Sequence, residues 1–365
     1  MKYILSLVFF LFISEGYSQL INENQRVYAD KKYTALIKEA RDSVRALMST
    51  KKIPGISVCI SKNGKIIWAE SFGYSDLESK TPVLLNTKFR VGSVSKAITA
   101  VGLARLIDAG KINLDSSVQH YVPYFPLKKY PVTVRHLTSH TGGIRHYANQ
   151  TEFLNTTAYY SVKESIRIFK DDSLLFKPGT KHFYSSYGFN LLSAAMEGAA
   201  TVPFITYMQQ EVFNPLDMHN TTADYIDSII PNRTRFYENR FNRIINAPFV
   251  DNSNKWAGGG FLSTPIDLVK MGQALMTKKF VTATTVEQLW TPYKLSTGEK
   301  NIYGIGFRIE TDNAGRKQVH HGGVATGSGA LLMIYPDDGL IMAITYNLVP
   351  QNMRSTQIAQ VFLKR

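Results

Sequence analysis

The sequence predicts an α+β fold of mixed α/β character: one antiparallel sheet built from both ends of the chain, flanked by terminal helices, with an all-helical lobe inserted between its halves. Three observations carry this. Runs rich in β-branched and aromatic residues stand near the ends, at 56–74 and again after 300, while the stretch from 93 to about 270 reads as helices and loops. The 365 residues are 44% apolar and 19% charged, enough for a large core and inconsistent with general disorder. That length also exceeds one domain of ordinary size and falls short of three. The expected organisation is a leader at 1–18, a sheet lobe at about 19–90 and 290–365, and a helical lobe at about 91–289.

Taken in order, Lys2 precedes an apolar run over 3–13, and small residues follow at Gly16 and Ser18. A charged start, an apolar stretch and a small-x-small cut site describe a secretory leader, with cleavage expected before Gln19. The run is too short for the roughly 18–20 residues of a membrane span, and no cysteine follows it to carry a lipid. The mature protein is therefore expected to be exported, periplasmic or secreted, without an integral membrane segment. Residues 31–50 place Tyr33, Leu36, Ile37, Val44 and Leu47 at near-helical spacing. Runs at 56–61 and 65–74 meet at Asn63-Gly64, a hairpin signal. A helix at 96–108 is closed by Gly110. Further helices are expected at 189–200 and 203–213. Another opens with Thr264 as N-cap, Pro265 at the first position and Asp267 in the first turn. Strands follow at 303–310, 318–323, 330–335 and 340–346, and 355–365 reads as a last helix.

The formal net charge is +14, and removing Lys2 and Glu15 with the leader leaves it at +14. The basic residues are scattered. The densest stretch, Arg233 to Arg243, is interrupted by Glu238 and aromatics, and reads as a surface or lobe-bridging segment. Export and this scatter set nucleic acid aside as a partner, leaving anionic wall or membrane surfaces. Cys59 is the single cysteine, so no intrachain disulfide forms.

Three groups of residues carry chemistry. Ser93 opens a helix and Lys96 follows at i+3 on the same face, where an amine can take the hydroxyl proton. Ser49 and Lys52 share the spacing but end a helix. Tyr184, in the run KPGTKHFYSSYGF, stands at the mouth of a helix, where a phenol can shuttle protons if cations lower its pKa. Tyr147-Ala-Asn149 is a second tyrosine of similar pattern. His320-His321-Gly322-Gly323 precedes a strand, where small glycines let a substrate lie against the backbone and free N–H groups for an oxyanion. His140-Thr-Gly142 is a second short match, with no strand after it. His136 and His140 at i, i+4 and nearby His146 lack the glutamate and carboxylates of a zinc site, so no metal is expected. Asn155, Asn220 and Asn232 stand in N-x-T triplets, which accept glycans only in a eukaryotic secretory host.

The order S-x-x-K, tyrosine in a PGxxxxYS setting, then H-x-G before a late strand resembles the serine β-lactamase and penicillin-binding-protein superfamily. The stretches SHTGGIRHY, KPGTKHFYSSYGF, RTRFY, PFVDNSNKWAGGGFLST and HHGG most resemble the mitochondrial serine β-lactamase-like proteases of animals and their bacterial relatives. They extend over most of 50–345. The resemblance implies a β-lactamase/DD-peptidase-like fold and a serine hydrolase acting through an acyl-enzyme without cofactor or metal. Ser93 would be acylated, Lys96 would assist its deprotonation and Tyr184 would act as acid and base. Ser186 stands where most of the superfamily has asparagine, which makes efficient β-lactam hydrolysis doubtful. His320, with Gly322 and Gly323, takes the place of the usual lysine motif; the frame starting at His321 is the alternative. The N–H groups of Ser93 and Gly323 would form the oxyanion hole. A neutral histidine in that place would weaken recognition of a substrate carboxylate. The implied substrate is a peptide or small ester. Alternatives are a β-lactamase or D-Ala-D-Ala carboxypeptidase, or an acylatable sensor or filament-forming scaffold, with self-association as the partner contact.

Overall fold

Asn63 and Gly64 both take positive φ, 51° and 77°, and so turn one long strand back on the next. This hairpin is the start of the main sheet in a computed structural model that describes residues 21–350, 353 and 355–363. The leader expected at 1–18 lies outside the described residues. The first part of the chain supplies β1 (Val27–Ala29), β2 (Gly55–Lys62), β3 (Lys65–Asp76) and β4 (Thr81–Pro82). The middle supplies the short strands β5 (Phe89–Arg90), β6 (Thr222–Ala223), β7 (Tyr237–Arg240), β8 (Arg243–Asn246) and β9 (Phe261–Ser263). The last part supplies β10 (Arg308–Thr311), β11 (Lys317–Ala325), β12 (Ser328–Tyr335) and β13 (Leu340–Tyr346). The antiparallel sheet runs β1-β3-β2-β13-β12-β11-β10, with β4 on β3, so both ends of the chain meet at the β2–β13 ladder.

Both faces of this sheet are buried, so β2 is buried without a break from Gly55 to Ser61 and β13 along its whole length. Ile56, Val58 and Ile60 join Leu340, Met342 and Ile344 on the outer face. The Thr34–Lys51 helix covers them with Ile37, Ala40 and Val44, and the Thr356–Val361 helix with Ile358, Ala359 and Val361. Cys59, Ala343, Ile341, Leu332 and Ile334 face the inner core with the Ser95–Asp108 helix. A one-residue slip would exchange the two sets, so the register is fixed by both cores at once.

The middle of the chain is mainly helical, with two small pieces of sheet that the sequence reading leaves out. One is β5-β9-β6 and the other the β7–β8 hairpin, which overlaps the end of the basic 233–243 stretch. Its Tyr237 hydroxyl accepts from Leu77 N at 2.8 Å, tying it to the end of β3. The Thr264 hydroxyl caps the Pro265–Thr277 helix as expected. That helix packs on the inner face of the main sheet: Gly272 lies against Ile341, and Gln273 Nε2 donates to Ser61 Oγ at 2.7 Å. It belongs in space with the sheet, although its place in the sequence is inside the 91–289 stretch. The strand expected from 303 begins at Arg308, because Gly306 at φ 72° folds the preceding segment against the carbonyl of Lys96. The helix expected over 203–213 is α-helical at Phe204–Met208 and continues with π geometry over Gln209–Phe213.

Candidate active site

Ser93 sits in a 3-10 turn, Gly92–Val94, that leads directly into the Ser95–Asp108 helix. Gly92 makes the turn with φ 50°; a Cβ there would lie 2.5 Å from Val324 O on β11. Gly323 faces the same turn from the strand, and a Cβ would lie 1.9 Å from Val91 O and 2.9 Å from Ser93 N. Two glycines thus let the nucleophile turn and the strand touch backbone to backbone.

The Tyr184 hydroxyl donates to Ser93 Oγ at 2.7 Å. Lys96 Nζ lies 3.2 Å from Ser93 Oγ, 3.1 Å from Ser186 Oγ, and also donates to the carbonyl of Gly258. Lys96 is fully buried, its Nζ 4.7 Å from the centre of the Tyr184 ring. Loss of water pushes its pKa well below the ordinary lysine value, and repulsion from Lys255 adds to this. Burial pushes the Tyr184 phenol up, against the pull of its bond to Ser93. Both shifts favour the uncharged forms, a neutral amine and a protonated phenol, and the tyrosine hydroxyl stands as a donor to Ser93.

The structure brings Ser93, Lys96, Tyr184, Ser186 and Gly323 together. Gly322 faces the other way and has nothing within ordinary contact of a Cβ except Leu331 at 3.9 Å. His320 does not join the site. It pairs with Met333, whose side chain belongs to the outer core, and its Nε2 meets Glu310 Oε2 at 2.6 Å. His321 pairs with Leu332 of the inner core and lies beside Tyr184, ring centres 6.5 Å apart. The strand's two-residue period decides this: a histidine on the same face as Gly323 must be two residues before it, at His321. Its Nδ1 lies 2.8 Å from Gly322 O, and burial lowers its pKa to about 3, so the ring is neutral.

The residues set aside as look-alikes lie close by. His140, at φ 60°, accepts Ser185 N–H on Nδ1 at 3.2 Å and packs on Tyr184 with ring centres 4.3 Å apart. His146 accepts Ser186 N–H at 3.2 Å, and burial lowers its pKa to about 4. His136 instead caps its own short helix. No group of three or more metal-ligating side chains converges among the described residues. Tyr147 is hydrogen-bonded to Ser186, although Asn149 is an N-cap further along. A cavity of about 190 Å³ opens on Ser93, walled by Tyr147, Phe153, Tyr184, Asn252, Lys255, Gly259 and Ala325 among others. Tyr147, Asn252 and Lys255 were missed as site residues. The signal for the last two was the glycine run Gly258–Gly260 behind Lys255, whose first member would clash with Ser186 O at 2.8 Å if it carried a Cβ.

A clamp holds this wall to the strand. Arg90 Nε donates to Asp224 Oδ2 at 2.7 Å and its other nitrogen to Thr326 O at 3.1 Å; Asn252 Nδ2 donates to the same carboxylate at 2.8 Å.

The chain matches the family model described as Beta-lactamase over residues 40–362. It is 32% identical to the human serine beta-lactamase-like protein LACTB, mitochondrial, over 89% of this chain and 79% of that protein. Among solved structures, the octameric penicillin-binding protein homologue from Pyrococcus abyssi superposes with a TM-score of 0.76 at 25% identity, covering 90% of this chain and 76% of that one. EstCE1, a hydrolase with promiscuous acyltransferase activity, superposes with a TM-score of 0.79 at 21% identity, covering 91% and 100%, and shares the fold.

Proposed function

The chain belongs to the beta-lactamase family of serine hydrolases, and from that premise we propose that it is an exported peptidase or esterase working through an acyl-enzyme on Ser93. The observation that carries this reading is the convergence of Tyr184 Oη and Lys96 Nζ on Ser93 Oγ, at 2.7 and 3.2 Å, with the lysine wholly buried.

With the amine neutral, Ser93 passes its proton to Lys96 as Oγ attacks the substrate carbonyl. The oxyanion lies at the contact between the nucleophile turn and β11, where the N–H groups of Ser93 and of the 323–324 backbone are the candidate donors. Tyr184 gives its proton to the leaving group and takes the one held by Lys96. Water then attacks the acyl-enzyme, and its proton returns by the same groups to restore Ser93. Small ester or peptide acyl groups suit a cavity of this size. Ser186 in place of a longer amide leaves less to hold a β-lactam side chain.

Labelling by a fluorophosphonate, present in the wild type and absent in Ser93→Ala, followed by turnover of an ester panel, tests the reading. Labelling without turnover would instead indicate a sensor. Export rests on the sequence of residues 1–18, while the human relative is named as mitochondrial; N-terminal sequencing of the secreted protein should begin at Gln19. Self-association is included in the proposal because one structural neighbour is octameric. No helix among the described residues is long and apolar enough to cross a membrane.

A further inference from the structure

Building on the reading of Ser93 as the acylated residue, we propose that Lys255 makes the Ser93 cavity selective for substrates that carry a carboxylate several bonds from the scissile carbonyl. Lys255 is 4% exposed, yet it walls the cavity that opens on the nucleophile. Its Nζ donates to the carbonyl of Phe153 at 2.6 Å and lies over the rings of Tyr147 and Phe153, 5.2 and 4.8 Å from their centres. An ammonium has three N–H donors, and a single protein acceptor leaves two without a hydrogen-bond partner from the protein.

A buried charge is ordinarily paired. Here the nearby acids are committed elsewhere. Asp224 holds Arg90, Arg233 and Asn252, and Asp251 accepts from the backbone of Ser253. No aspartate or glutamate walls the cavity. Burial lowers the pKa of Lys255 to about 7, with Arg90 pushing the same way and Asp251 and Asp224 opposing. Of the other basic groups near the nucleophile, Lys96 lies outside the cavity wall, held by Ser93, Ser186 and the carbonyl of Gly258, and His146 accepts the Ser186 N–H; burial shifts both toward their neutral forms. Lys255 is thus the site's main available cation, and an entering carboxylate would hold it protonated. Pinning the Phe153 carbonyl alone would not require a charge, since a neutral amide donor makes that bond without the cost of burying an ion.

The test compares two ester pairs, each normalised to its spontaneous hydrolysis. In the first the acyl chain ends in a carboxylate or a carboxamide (the p-nitrophenyl hemiester of adipic acid and its terminal amide). In the second the difference is on the leaving group (4-acetoxybenzoate and 4-acetoxybenzamide). The wild type should favour the carboxylate in at least one pair by about tenfold or more in kcat/KM, the scale of a charged hydrogen bond. Lys255→Met should bring that ratio close to one, while Lys255→Arg should keep a preference. Because each ratio is internal to one protein, a general loss of activity does not mimic the effect. Wild-type ratios near one in both pairs, or an unchanged ratio in Lys255→Met, would overturn the proposal while leaving the acyl-enzyme intact. Failure of Ser93 to acylate with any of the four esters would instead overturn the functional reading beneath it.

Discussion

Folding and chemistry pull in opposite directions at Lys96. In the unfolded chain its amine binds a proton up to the ordinary value of 10.5, whereas the folded site releases it at much lower pH. Below 10.5 the unfolded state therefore holds more protons, so this residue costs stability at neutral pH and the cost fades as pH rises toward 10.5. Lys96→Met should raise Tm at pH 7 by a few degrees, with a smaller gain at pH 10, while lowering kcat/KM by about 10²–10⁴-fold. A lower Tm in calorimetry at pH 7 would contradict the neutral buried amine. In the wild type, kcat/KM should rise with pH along a limb centred well below 10.5, because the deprotonated amine is the acting form. The two histidines of β11 give a second residue-scale prediction. His321→Ala should lower kcat/KM by about tenfold or more, and His320→Ala, on the opposite face beside Glu310, by less than about threefold; steady-state kinetics on one ester would separate them. The sequence was ambiguous at this point for a physical reason. Adjacent histidines differ only in which face of the strand they occupy, and the frame is set by the Leu332 and Met333 pairing, which spacing alone does not reveal. Ser93, Lys96 and Tyr184 were picked out through the resemblance to the family's motifs, since Ser49 and Lys52 share the same spacing and Tyr147-Ala-Asn149 offers a second tyrosine. Lys255 was not, because its closeness to Ser93 depends on the contact of the 252–260 segment with the nucleophile helix.

Among the elements, the contact between β11 and the Gly92–Val94 turn is the one on which the site depends most. Gly323→Ala would place a methyl against Val91 O and push the strand away from Ser93. A displacement of that order should cost about 10²-fold in kcat/KM. Gly322→Ala meets only Leu331 at 3.9 Å and should keep most of the activity. Equal losses in the two variants would show that strand position is not what the glycine protects. The terminal strands and the Ser95–Asp108 helix were readable from their apolar runs, the Asn63-Gly64 turn and Gly110. The pieces that escaped, β1 and β4 at the edge of the main sheet and β5, β6 and β9 in the middle, are two or three residues long, and the pairing of the last three is wholly non-local. The β7–β8 hairpin escaped because Phe241 and Asn242 make its turn with φ 49° and 66°, without the glycine that usually marks one.

At the scale of the whole molecule, the sheet, the helical segment and the cavity wall are joined at Arg90, 4% exposed between Asp224 and Thr326. Arg90→Ala would leave Asp224 buried with its main partner gone, and should destabilise the fold by about 3–5 kcal/mol in a denaturation series; a loss under about 1 kcal/mol would mean the ion pair is incidental. The net charge of +14, which the sequence left open between several anionic partners, has a local counterpart in a cavity that Lys255 walls without any carboxylate beside it. Hydrolysis through an acyl-enzyme depends on one covalent bond. Incubation with an activated ester, acid quenching, digestion and mass spectrometry should find the peptide containing Ser93 heavier by the mass of the acyl group, with no such shift in Ser93→Ala. An unmodified Ser93 peptide during active turnover, or an acyl group on another residue, would contradict it.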